Sequence, residues 1–222
     1  EIMRKLLTIL IFIISHQILS QNGMDSLIFE EINKVRTKPK SYIPYVKIYI
    51  ENQEKMKVLV KNGKAKTTSF SGNMSNDNTV NNVKITTGIN LINKNINAAN
   101  ELINILEKLK PVNPLIFNKT IDSISDRHGK YLDASNKRGH YGPNNQTIKD
   151  RFKNYNFTYF TENVSSVGSF VYINKNVKPI IINLLVDSGI DNRSHRKNIL
   201  DPKVKFIGIY VSRKTCIQNF AL

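Results

Sequence analysis

The sequence predicts an α+β fold, with helices packed on a small antiparallel sheet. Three observations carry this. Apolar residues make up 40% of the 222-residue chain, enough to build a core. Helical and strand-like stretches interleave without the regular rhythm of a doubly wound parallel sheet. The last stretches, KFIGIYV and CIQNF, read as two antiparallel strands.

The elements follow in chain order. Residues 1–20 read as a secretory signal peptide: Arg4 and Lys5 precede the apolar run LLTILIFII, and Ser20 stands before a polar stretch. That run is too short to span a bilayer comfortably. Residues 21–60 are expected to hold a first helix and an extended segment. Leu27, Ile28, Ile32 and Val35 recur at helical spacing, Asp25 is a candidate N-cap, and Pro39 closes the helix. Residues 61–90 are rich in Gly, Ser, Thr and Asn and keep no period, so a polar loop or insertion is expected.

Residues 91–222 complete the domain. Ala98, Leu102, Ile105, Leu106 and Leu109 form an apolar stripe that Pro111 ends. Leu115, Ile116 and Phe117 read as buried, and a helix is expected from Lys119 to Ala134. A Gly/Pro-rich loop then leads into a short helix. TYFTENVSSVG reads as a strand, and VKPIIINLLVDSG as a buried helix with Pro179 in its first turn. DNRSHRKNIL (Asp191 to Leu200) reads as a polar turn entering a short helix.

The formal charge is +16, and removing Glu1, Arg4 and Lys5 with the leader would make it +15. Such a charge favours anionic surfaces and acidic glycans as partners. The lysines are scattered, so a generally basic surface competes with a dedicated polyanion site, and no specific nucleic acid is expected. The single cysteine, Cys216, excludes an internal disulfide and reads as a buried strand residue. A packed core must then supply the stability that disulfides give many secreted domains. Glycosylation sequons stand at Asn73, Asn118, Asn145, Asn156, Asn163 and Asn192.

Setting aside His16 in the expected leader, the histidines are His128, His140 and His195. Beyond residue 100 the glutamates are Glu101, Glu107 and Glu162. His140 opens a loop, Glu162 lies in a strand and His195 opens a helix, so the three can converge on one cleft. Imidazole and carboxylate are both zinc ligands, although no close-spaced histidine pair is present. Structural hydrogen bonding by these residues is the competing role. His128 reads as a helix-face or core residue. Arg193 or Arg196 could neutralise Asp187 and Asp191.

The order of these segments resembles the CAP superfamily (the SCP-like, cysteine-rich secretory, antigen 5 and pathogenesis-related 1 proteins), in its disulfide-poor branch of bacteria and protists. EEINKVRTKPKSY matches the family's opening helix, the segment Arg127 to Phe157 its first cleft histidine, and FTENVSSVG its Gly-Glu-Asn signature. SHRKNIL followed by IG matches the second histidine motif. The resemblance implies a three-layer α-β-α sandwich with a cleft of His140, Glu162 and His195, supported by Asn163, Arg196 and Asn198. It implies a secreted, mostly non-enzymatic protein that binds a lipid, a sterol or a cell-surface or host protein, with zinc held by His140 and His195 as an option. A metal-assisted hydrolase using the same cleft and a polyanion binder are the alternatives. Two departures stand out. Thr161 replaces the signature glycine, and no glutamate lies between Glu162 and His195, which leaves Asp187 or Asp191 as the fourth member.

Overall fold

A computed structural model describes residues 23–66, 68–74 and 80–222, with backbone alone for 68–74, 80–87 and 169–170. The expected leader at residues 1–20 lies outside the described residues.

The first helix, α1 (Met24–Thr37), buries Ile28, Ile32 and Val35, the positions its period selects. A 3-10 turn at Pro39–Tyr42 follows, and then α2 (Ile43–Lys61). The segment expected to be extended is therefore helical. Its apolar residues follow no clear stripe, and only Val46 is buried, so its packing left little trace in the sequence.

The polar region also differs from the expected loop. It carries an antiparallel hairpin of β1 (Thr68–Met74) and β2 (Val80–Thr87), with residues 67 and 75–79 outside the described residues. Helix α3 (Gly88–Lys108) starts three residues before the boundary set for the domain's remainder at 91. It buries Ala98, Leu102 and Leu106 as the stripe predicts. The short β3 (Ile116–Phe117) then enters α4 (Lys119–Ser135). Asn118 caps α4 by accepting from the Thr120 and Ile121 amides, and Asn136 ends it in a left-handed conformation. A 3-10 turn at Pro143–Asn145 leads to α5 (Ile148–Phe152), which opens with a Thr147–Asp150 capping box.

The remaining elements are β4 (Phe160–Ser166), α6 (Ser169–Ile173), α7 (Lys178–Val186), α8 (Ser194–Leu200), β5 (Phe206–Val211) and β6 (Thr215–Ala221). The four-stranded sheet has the order β3-β5-β6-β4. Its three long strands pair antiparallel as expected, whereas β3 pairs with β5 in parallel.

Strand alternation sorts the side chains to two layers. Ile207, Ile209, Cys216 and Phe220 join α1, α3, α7 and α8 in the larger core. The opposite face carries Phe206, Gly208 and Tyr210 and packs on α4. Gly208 is required there: a Cβ would lie 2.1 Å from the Asp122 amide nitrogen. The result is the α-β-α sandwich, with β4 at one edge of the sheet.

One buried cation ties the layers together. Arg36 is fully buried and donates to the carbonyls of Asn113, Ile199, Asp201 and Val204. Burial lowers its pKa to about 10, so it stays charged at neutral pH. Asn33, three residues earlier, holds both the amide and the carbonyl of Leu115. The opening-helix motif thus works as a clamp between the chain's two ends.

Candidate functional site

Glu162 and Asn163 are neighbours on β4, so their side chains leave opposite faces of the strand. Each becomes the centre of a separate cluster. Both are buried, at 6% and 1% exposure.

The Glu162 cluster is charged. Arg151, on α5, donates from Nη2 to both carboxylate oxygens, at 2.9 and 2.8 Å. Its Nη1 also holds the carbonyls of His140 and Gln146, which fastens the loop before α5. His140 Nδ1 lies 2.9 Å from Glu162 Oε1. A carboxylate only accepts, so this Nδ1 carries the proton. Burial raises the Glu162 pKa, but the His140 hydrogen bond and the Arg151 charge outweigh it and hold the carboxyl below its ordinary range.

His128, on α4, completes this cluster at 3.9 Å from Glu162 Oε1. It is a buried residue, in keeping with a core assignment, and it abuts the site as well. Burial lowers its pKa to about 4, against the pull of Glu162. The ring is therefore neutral at pH 7. Its Nε2 faces the Gly139 carbonyl at 3.3 Å, so Nε2 carries the proton and Nδ1 is left as an acceptor.

The Asn163 cluster is built from amides. Asn163 donates to the His195 carbonyl and to Gln218 Oε1. Asn198 donates to Asn163 Oδ1 at 2.8 Å and to the Glu162 carbonyl at 3.3 Å, bridging α8 to the strand. His195 turns to Asp187, which ends α7 in a left-handed conformation. One carboxylate oxygen accepts from the His195 amide and the other lies 3.0 Å from Nδ1.

Sequence reasoning placed His140, Glu162 and His195 on one three-residue cleft. The structure pairs His140 with Glu162 and His195 with Asp187. Asp187 is the acid that joins His195. Asp191 instead stands on the surface near Lys94, with its side chain 87% exposed. Arg196 acts on Asp187 through its charge, as expected, while the close ion pairs of Arg193 and Arg196 go elsewhere. Both arginines reach Glu101 on α3, and Arg196 is buried on the carbonyls of Ala98, Leu185 and Val186. The cause is geometric. The turn before α8 exposes Asp191, while the last carbonyls of α7 need donors. Arg151 and His128 were missed as partners of Glu162. Arg151 carried one usable signal, an arginine one residue behind a capping-box acid on a short helix.

The chemistry available here is limited. Both histidines give Nδ1 to a carboxylate, the pattern that orients zinc-ligating imidazoles. Among the described residues, however, no three His, Cys, Asp or Glu side chains gather as a metal group. Cys216 is buried and its thiol is pushed up to about 12, as suits a core residue. Ser188 donates to Asn95 rather than to a histidine.

The cysteine-rich secretory protein (CAP) family model matches residues 30–221. The chain belongs to the CAP family. This CAP domain is also similar to solved structures. One is an extracellular SCP-domain protein from Bacillus anthracis, at 19% identity and TM-score 0.41, covering 59% of this chain and 38% of that one. Another is an outer surface protein from Borrelia burgdorferi, at 17% identity and TM-score 0.40, covering 50% and 78%. A cysteine-rich secretory protein from Staphylococcus aureus has 17% identity and TM-score 0.35, covering 66% and 44%. The CAP domain thus spans well under two thirds of the Bacillus and Staphylococcus chains. A search of curated proteins returned no match.

Proposed function

We propose that this CAP domain is an extracellular, non-enzymatic binding protein. The observation that carries this reading is the state of Glu162. Its side chain is 1% exposed, Arg151 occupies both oxygens, and its pKa is depressed. A carboxylate so placed is a poor general base, because it is both weakly basic and shielded from a substrate proton. The leader-like run after Arg4 and Lys5 supports an extracellular location.

His140 is the cluster member open to solvent, with its side chain 53% exposed, so a partner would meet the site there. Of the occupants the family implies, a polar surface partner such as a host or cell-surface protein suits this face better than a lipid or sterol. Arg127, Asp150 and Lys153 line the cavity behind Glu162 and offer charged groups to a polar partner.

A panel of peptide and ester substrates tests the reading. The native chain is expected to show no turnover above a His140→Ala/His195→Ala variant. Turnover that the double variant loses would overturn the binding role in favour of a hydrolase. Zinc addition is expected to leave the thermal midpoint unchanged; a midpoint that rises with zinc in the native chain alone would restore a metal role. Retention on heparin that persists to high salt would favour the polyanion reading instead.

A further inference from the structure

N-linked glycosylation adds a bulky, hydrated sugar to the Nδ2 of a sequon asparagine, so a folded chain tolerates it only where that nitrogen faces solvent. Leaving aside Asn73, whose side chain lies outside the described residues, the fold treats the sequon asparagines in different ways.

Asn163 belongs to the interior. It is 1% exposed, and its Nδ2 donates to the His195 carbonyl and to Gln218 Oε1. A glycan there would remove one of the two amide protons and force a sugar into the amide cluster. Asn118 is half-buried over the first turn of α4, where its Oδ1 accepts from the Thr120 and Ile121 amides. Asn145 and Asn192 are exposed but sit in tight turns. Asn145 has a left-handed backbone, with φ of 58°, and Asn192 Oδ1 accepts from the Ser194 amide.

Asn156 stands at the apex of a three-residue turn between α5 and β4, closed by the Phe157 amide on the Tyr155 carbonyl at 2.9 Å. The residues on either side are held inward. Phe157 meets the rings of Phe152 and Phe206 edge-on, and Tyr155 packs on the same apolar cluster. With both neighbours anchored, the side chain at the apex is left on the surface. Asn156 is exposed and makes no hydrogen bond among the described residues. Thr158, the third residue of this sequon, is exposed as well.

We propose that Asn156 is an N-glycosylation site and that Asn163 is left unmodified. The donor is a polyprenyl-pyrophosphate-linked oligosaccharide, delivered by a transferase of the secretory membrane. A bond forms between Asn156 Nδ2 and C1 of the first sugar as the C1–O bond to the pyrophosphate breaks. The leaving pyrophosphate keeps the bonding electron pair, the amide gives up one proton, and nothing is oxidised or reduced. This rests on the extracellular location proposed above, because the chain must meet that transferase on its way out.

Secretion of the chain from a eukaryotic host tests it, in one arm behind its own leader and in another behind the host's leader. Peptide masses are read after enzymatic removal of N-glycans, which converts each glycosylated Asn to Asp. Retention in the cell behind its own leader alone would sink the extracellular location, whereas occupancy behind the host's leader decides the site. Most of the secreted chain is expected to show Asn156 converted, and none of it Asn163. Thr158→Ala, at an exposed position, is expected to abolish the conversion at Asn156, and Thr158→Ser to keep it. Ser165→Ala removes the second sequon without altering the Asn163 amide and is expected to leave the glycan mass unchanged. An Asn156 that stays unconverted behind the host's leader, a conversion that survives Thr158→Ala, or a converted Asn163 overturns the proposal.

Discussion

The two faces of β4 hold neighbouring residues by opposite means. On the Glu162 face a buried charge is balanced by Arg151 and His140, with a neutral His128 beside it. On the Asn163 face, amides of Asn163, Asn198 and Gln218 bond one another and the backbone without net charge. The difference teaches what each cluster is sensitive to. A buried ion pair is vulnerable to the loss of one partner and to acid. An amide network loses one modest hydrogen bond at a time.

Arg151→Ala should break this comparison most severely. It strands the Glu162 carboxylate and releases the loop at His140, at a cost of about 3–5 kcal/mol. Urea unfolding measures the loss. Glu162→Gln in the Arg151→Ala background should restore part of it, because the stranded charge is removed. If the double variant is no more stable than the single one, the charge balance is not what holds this face.

Acid comes next. His128 has a pKa of about 4 in the fold, against 6.5 for an unperturbed imidazole. Between these values the unfolded chain binds a proton that the fold refuses, so stability falls as pH drops. The loss over that window is on the order of 3 kcal/mol. The depressed Glu162 carboxyl acts in the same direction at lower pH, since its contribution is present above the unfolded pKa and lost as it protonates. Unfolding free energies at pH 7, 5.5 and 4 should trace this decline. A His128→Leu variant should flatten the upper part of the curve, and an unchanged slope would show that His128 is not its source.

Asn198→Ala probes the amide face and should have the smallest effect, about 1–2 kcal/mol with little pH dependence. A loss as large as that of Arg151→Ala would erase the contrast between the faces.

Much of this molecule was legible in the sequence. The period of α1, the apolar run of α7, the β5–β6 hairpin and the SHRKNIL helix all lie where the pattern put them. Helix α2 was not legible, because a helix that buries only Val46 leaves no stripe to read. The hairpin at 68–87 was hidden by a composition that favours loops.

The histidines, Glu162 and the family itself could be named from the sequence, since motifs are local strings of residues. Their partners could not. Local periodicity reports which face of an element is buried, but it carries no information on which side chain from another segment meets that face. The Arg151–Glu162 pair joins α5 to β4, and the Arg36 clamp spans 163 residues to Ile199. Alternation along β4 decided the rest. It sends Glu162 and Asn163 to opposite layers, and so two neighbouring residues became the centres of a charged cluster and an amide cluster.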